Sequence, residues 1–213
     1  KKGGSLYTEE DLIGIIWKER PALSVQPVYR LKEQYTGEST DRKLKRLREE
    51  MKRKEADVHI LTSLCDIAWL FNIRGNDMKC VPVPLSYLMI RKDTCEWFVH
   101  EQILDEELPA YLAGHNITVK PYEEIQTEAE KIGQNERVLL DMHSVSFGIV
   151  ERIPKGVGIV EAKNPTVHMK AVKNPTEIAN TRQAHLSDAI AVTKFIYWLK
   201  NNIGKKTITE CSA

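Results

Sequence analysis

The chain has 213 residues, 42% of them hydrophobic, with 31 basic and 30 acidic side chains and a formal net charge of +1. That length holds one domain or one and a half, and the apolar fraction is enough for a core. The near-neutral balance excludes an electrostatic case for nucleic acid or an acidic membrane as partner.

No apolar run approaches the ~20 residues that span a bilayer, and no signal peptide opens the sequence. Cys65, Cys80, Cys95 and Cys211 form no C-x-x-C pair and lie at no zinc-finger spacing from a histidine. The expectation is a soluble cytoplasmic protein with reduced thiols.

In chain order, residues 8–18 read as a helix capped by Thr8, with Leu12, Ile13, Ile15, Ile16 and Trp17 as its apolar surface. Pro21 and Pro27 make the next stretch extended, and residues 35–39 read as a boundary loop. Residues 40–54 are a strong helix, with Leu44, Leu47 and Met51 on one stripe and basic residues around the rest. A strand follows at 58–61. Ser63 and Asp66 have the spacing of a capping box that opens a helix to Phe71. Residues 72–77 form a polar loop.

Strands at 87–91 and 95–99 flank a turn at 92–94, a hairpin. Residues 101–113 are helical, stopped by Gly114. A strand at 117–120 leads to a helix at 121–132 with Pro121 in its first position. A strand at 137–141, a short helix at 144–151 and a strand at 158–161 complete the alternation.

Strands alternating with helices over residues 40–161 predict an α/β layered domain with a mixed sheet. Asn164-Pro165 and Lys173-Asn174-Pro175 bracket a linker. Residues 176–203 then predict one long amphipathic helix, with Ala189, Val192, Ile196, Leu199 and Ile203 at spacings of three and four. Thr207 and Glu210 repeat the capping-box spacing, a helix start that predicts a longer natural protein.

Three stretches carry a family resemblance. The first is Asp11-Leu12-Ile13 with Ile16-Trp17-Lys18-Glu19-Arg20-Pro21, then Tyr35-Thr36-Gly37. The second runs from Thr62 through Trp69-Leu70-Phe71-Asn72-Ile73-Arg74-Gly75-Asn76-Asp77, followed by Pro82-Val83-Pro84-Leu85-Ser86-Tyr87. The third is Lys170-Ala171-Val172-Lys173-Asn174 with Glu177, Arg182, Ala184 and His185. In this order the chain resembles three-domain Xaa-Pro aminopeptidases of the prolidase and creatinase superfamily. It departs at Cys65, where the family often has an acidic residue.

The resemblance implies a creatinase/prolidase N-terminal-like α/β domain with a mixed sheet flanked by helices, plus the first long helix of a pita-bread domain. The implied division is a lead-in at 1–36, the α/β domain at 37–163, a linker at 164–175 and the truncated start of the catalytic domain at 176–213. The family removes the residue before a proline, a tertiary amide with no N–H. Its catalytic centre uses two divalent metals, usually manganese, held by two Asp, one His and two Glu in the pita-bread domain. No catalytic residue and no metal ligand transfers to this chain, so the chain alone is expected to be inactive. Its expected role is to shape the substrate cleft and support oligomer packing. The implied partners are peptides with proline in second position and a second copy, as a homodimer, with no nucleic acid and no membrane.

Arg74 and Asp77 are the candidate cleft-lining residues, because the equivalent region of related enzymes faces the catalytic cleft. The competing reading pairs them with each other inside the loop. His185 reads as a helix-packing residue, and the other histidines suggest no metal site. Arg42-Lys43, Lys45-Arg46 and Lys52-Arg53-Lys54 read as a solvated helix face rather than a nucleic-acid patch. Asp141 and His143 read as strand-end polar groups, and Trp69, Phe71, Trp97 and Phe98 as core. Two alternatives remain beside the peptidase: a pita-bread scaffold without metals, and a prolidase- or creatinase-like enzyme.

Overall fold

A computed structural model describes residue 7 and residues 10–212. Its centre is a six-stranded mixed sheet in the order β6-β5-β4-β2-β7-β8. The strands are β2 (Val58–Leu61), β4 (Tyr87–Arg91), β5 (Cys95–Val99), β6 (Ile117–Pro121), β7 (Arg137–Leu140) and β8 (Gly158–Glu161). The β4/β5 hairpin and β2/β4 are antiparallel; β5/β6, β2/β7 and β7/β8 are parallel. All four residues of β2 are buried, as expected of a central strand covered on both faces.

Alternation along the strands divides the core. Leu61, Leu88, Ile90, Trp97 and Val99 pack with helices α3 (Thr40–Arg53), α4 (Leu64–Leu70) and α5 (Leu108–Gly114). Val58, Ile60, Met89, Phe98, Val138 and Leu140 pack with α6 (Ile125–Glu130) and α7 (Phe147–Arg152). Helix α3 buries the predicted stripe of Leu44, Leu47 and Met51, and Ser39 caps its start.

Several expectations are corrected. Cap residue Thr8 lies outside the described residues; helix α1 spans only Leu12–Ile16, capped by the Asp11 carboxylate. Helix α2 (Glu33–Thr36) runs into the first two residues of the supposed boundary loop and is ended by Gly37 in the left-handed region. Within the supposed polar loop, β3 (Ile73–Arg74) pairs with β1 (Tyr29–Arg30). Ser63 precedes α4 without a side-chain cap bond.

Helix 101–113 is a 3-10 turn, Glu101–Ile103, followed by α5. Gly114 is still helical, and Asn116 takes the positive φ of 54°. Pro121 ends β6 rather than opening a helix. The segment read as a linker contains helix α8 (Pro165–Ala171), whose Met169 enters the core. Proline at a first helical position lacks only an N–H that would be unpaired there.

Helix α9 (Pro175–Asn202) has 28 residues and none is buried. Its length is about 42 Å. Residues 207–212 form no helix; the Thr209 N–H donates to Ser212 Oγ at 2.9 Å. Among the described residues no helix is long and apolar enough to cross a membrane.

Candidate functional site

The root of α9 meets the sheet domain at a dense polar seam. Asn174 caps the helix, accepting the Glu177 N–H at 2.9 Å, and Glu177 Oε2 accepts the Asn174 N–H at 3.0 Å. This reciprocal pair satisfies two amides that a helix start leaves unpaired. The second carboxylate oxygen, Oε1, accepts the indole N–H of Trp69 on α4 at 3.1 Å. Asn174 Nδ2 donates to the Thr36 carbonyl at 2.7 Å, and Asn180 Nδ2 to the Tyr35 carbonyl at 3.0 Å. Helix α9 is thereby tied to both α4 and α2.

Gly37 makes the close approach possible. Its φ is +68°, and a Cβ there would meet Asn174 Oδ1 at 2.4 Å. Below the seam, Lys43 is 1% exposed. Its ammonium donates to the Trp69 carbonyl at 2.8 Å and to Asn72 Oδ1 at 2.7 Å, and lies 4.2 Å from the Trp69 ring centroid. Burial pushes the Lys43 pKa down to about 8, with Glu177 and Glu38 acting in the opposite sense. The charge that reads as part of a solvated basic face is therefore an internal strut.

Beside the seam lies a cleft of about 370 Å³ between α4, β3, α8 and α9. Trp69, Arg74, Val81, Pro82, Lys173 and Glu177 are among its walls. Arg74 Nη1 donates to the carbonyls of Ala68 at 3.3 Å and Ile73 at 2.7 Å. Burial lowers the pKa of its guanidinium from the ordinary value. Asp66, 1% exposed, accepts Thr166 Oγ1 at 2.8 Å and is paired with Lys170. A residue expected to cap its own helix instead anchors α8 to α4.

Asp77 sits elsewhere. Its two oxygens accept the backbone N–H groups of Gln26 and Leu85, each at 2.8 Å, and so staple the incoming chain to the loop before β4. Arg74 and Asp77 make no ion pair with each other; the structure brings Arg74 to the cleft and gives Asp77 to the backbone. Gly75 passes so near Pro84 that a Cβ would lie 2.9 Å from its nitrogen.

The remaining sequence candidates are dispersed. His185 is exposed on α9. Asp141 accepts the backbone N–H of His143 at 3.1 Å, which makes a turn rather than a dyad. His59 is fully buried and its Nδ1 faces the Leu139 carbonyl at 3.0 Å. Among the described residues no three His, Cys, Asp or Glu side chains converge to hold a metal, so these residues do not fit a dinuclear centre. Sequence reasoning missed Lys43, the Asp66–Lys170 pair and the Trp69–Glu177 bond. The one local signal was Asn174 with Glu177 three residues on.

A family model described as Creatinase/Prolidase N-terminal domain matches residues 19–177. The chain is 34% identical over 220 residues to a probable Xaa-Pro aminopeptidase P of Penicillium rubens, covering 99% of the chain and 36% of that protein. It is 32% identical over 223 residues to a probable Xaa-Pro aminopeptidase P of Chaetomium globosum, with the same two coverages. Among solved structures it is similar to an X-prolyl aminopeptidase from Caenorhabditis elegans, a cytosolic enzyme with a di-nuclear active site. That match has a TM-score of 0.82 at 30% identity, over 92% of this chain and 33% of that one. The chain thus spans about a third of the length of the relatives it matches.

Proposed function

The chain belongs to the creatinase/prolidase N-terminal domain family, and on that premise we propose that it is the non-catalytic part of a metal-dependent Xaa-Pro aminopeptidase. The observation that carries this reading is the likeness to Xaa-Pro aminopeptidases across 99% of the chain, while the chain spans 36% of their length. In this reading residues 37–163 form the domain that precedes the catalytic one, with 1–36 leading in and 164–175 joining the two. Residues 176–213 begin a pita-bread catalytic domain.

The exposed face of α9 supports the division. Leu186 is 62% exposed and Tyr197 73% exposed, on a helix whose first turns alone are tied to the domain. Apolar area of this kind gains free energy only when something covers it. The rest of the longer protein, in a cytoplasmic homodimer, is the proposed cover. Arg74 on the cleft and Asp77 at the base of its loop are the proposed shapers of the substrate entrance. The two divalent metals, manganese in the family, are assigned to side chains outside this chain, since the described residues do not fit them.

An Xaa-Pro peptide assay in the presence of manganese tests the reading. The longer protein should release the first residue and lose that activity on chelation. The 213-residue chain should show no turnover; turnover by the chain itself would overturn the assignment.

A further inference from the structure

Most charges around the Arg74 cleft are already answered. Lys170 is paired with Asp66, and Lys173 donates to the Lys170 carbonyl. Both oxygens of Glu177 are engaged, one by the Trp69 indole and one by the Asn174 amide. Arg74 differs. A guanidinium carries five N–H donors in a planar fork. Only Nη1 is engaged, by two carbonyls, and among the described residues no carboxylate lies within 4.0 Å of Arg74. Glu177 acts on Arg74 through space without bonding to it. Taking a guanidinium partly out of water without a bonded counter-charge is unfavourable, and a planar, two-pronged anion is the partner its shape suits.

The rest of the cleft limits what that anion can be attached to. Val81 and Pro82 supply an apolar wall, and Trp69 an aromatic one. A volume of about 370 Å³ is at the small end of the ~300–1,000 Å³ typical of ligand pockets, room for a short peptide and not for a folded partner. We propose that this cleft receives the C-terminal carboxylate of a short peptide, with the free edge of the Arg74 guanidinium as its partner. The carboxylate lies against Arg74 and the peptide body against Val81 and Pro82. With Lys170 paired to Asp66, Arg74 and Lys173 stand against Glu177 in the cleft, a balance that admits one carboxylate and disfavours a second negative charge.

The inference rests on the peptide-handling reading above, but its failure is separable. If the longer protein cleaves Xaa-Pro peptides while Arg74 gives no response to a peptide acid, only the assignment of Arg74 falls. The test follows the Arg74 Nε–H signal of the 15N-labelled 213-residue chain by NMR. Three probes are titrated: Ala-Pro-Ala, its C-terminal amide and inorganic phosphate.

The expected result is a saturable shift with the free acid, and binding of the amide and of phosphate at least about tenfold weaker, since a charged hydrogen-bond pair is lost or mismatched. Arg74→Gln should remove the response to the acid. Equal binding of acid and amide, phosphate binding as tightly as the acid, or no shift at all would each overturn the proposal. If Arg74→Gln does not fold, the comparison of acid with amide on the unaltered chain still decides it.

Discussion

The sheet domain and helix α9 reach their structures by opposite routes. In the domain, Trp97, Phe98, Leu61 and Leu88 are fully buried between helices that come from all along the chain. Their strands are held by burial on two faces. Helix α9 has strong local signals: a reciprocal Asn174–Glu177 cap, proline in the first position and 28 residues of length. Yet it buries none of its side chains. Burial holds one region and capping starts the other, and the seam at Trp69 and Asn174 is where the two meet.

A large effect of pH is expected in the domain, and it tests whether the interior is closed to charge. His59 Nδ1 faces a carbonyl, so the neutral ring carries its proton there and Nε2 lies bare in the core. Burial depresses its pKa to about 4, with the Leu139 carbonyl, Asp66 and Asp141 pulling weakly the other way. The unfolded value is near 6.5. A base whose folded pKa is depressed binds fewer protons folded than unfolded, so its contribution to stability is full above pH 6.5. It declines as pH falls and levels off below about pH 4. The loss over that window is roughly 3 kcal/mol. Urea unfolding at about pH 7 and about pH 4 should show it, and His59→Asn, which keeps an N–H for Leu139, should remove most of the difference. An unchanged pH dependence in the variant would mean that other groups govern acid unfolding.

The seam is expected to be intermediate. Gly37→Ala puts a Cβ at a φ of +68° and within 2.4 Å of Asn174 Oδ1. The left-handed backbone alone costs about 1–2 kcal/mol for a side chain. The cap of α9 must also shift, so a total near ~2 kcal/mol is expected. Hydrogen exchange should accelerate at Glu177 and Ile178, whose amides donate to Asn174, and leave β2 and β4 unchanged. Equal acceleration in the strands would show that the seam and the domain unfold as one unit, and the distinction between the two regions would fail.

The same distinction explains what the sequence made legible. The stripe of α3 was readable because one buried face imposes a helical period, and the strands at 58–61, 87–91 and 95–99 because burial on both faces leaves short, nearly continuous apolar runs between turn residues. Helix α8 was not, because its two flanking Asn-Pro steps look like a linker. What fixes it is Asp66, 100 positions earlier, accepting from Thr166. Strands β1 and β3 have two residues each, too few to show any period. In the site, Arg74 was singled out by the family resemblance, since a lone Arg-Gly step carries no pattern of its own. Its cleft needs Trp69 and Glu177, which lie 108 positions apart, and no local spacing encodes that bond. Lys43 was misread for a related reason: one lysine among many on a basic helix gives no sign that it points inward.

The smallest expected effect sharpens the comparison most. Leu186→Ala removes an apolar side chain that is 62% exposed. Little transfer free energy is lost, and alanine is the better helix former. In this chain the change in unfolding free energy should stay within about 0.5 kcal/mol. Leu47→Ala, the same chemistry at a fully buried position, should cost about 2–5 kcal/mol. The measurement is the urea midpoint, taken over a range of protein concentrations. A cost above about 1 kcal/mol for Leu186→Ala that grows with concentration would mean that a second copy of this chain covers the helix. A cost independent of concentration would mean that α9 folds back on its own domain. With no cost here and a cost near that of Leu47→Ala in the longer protein, the helix acts as a half-built interface, started by its cap and completed only when the remainder of the polypeptide packs over its apolar face.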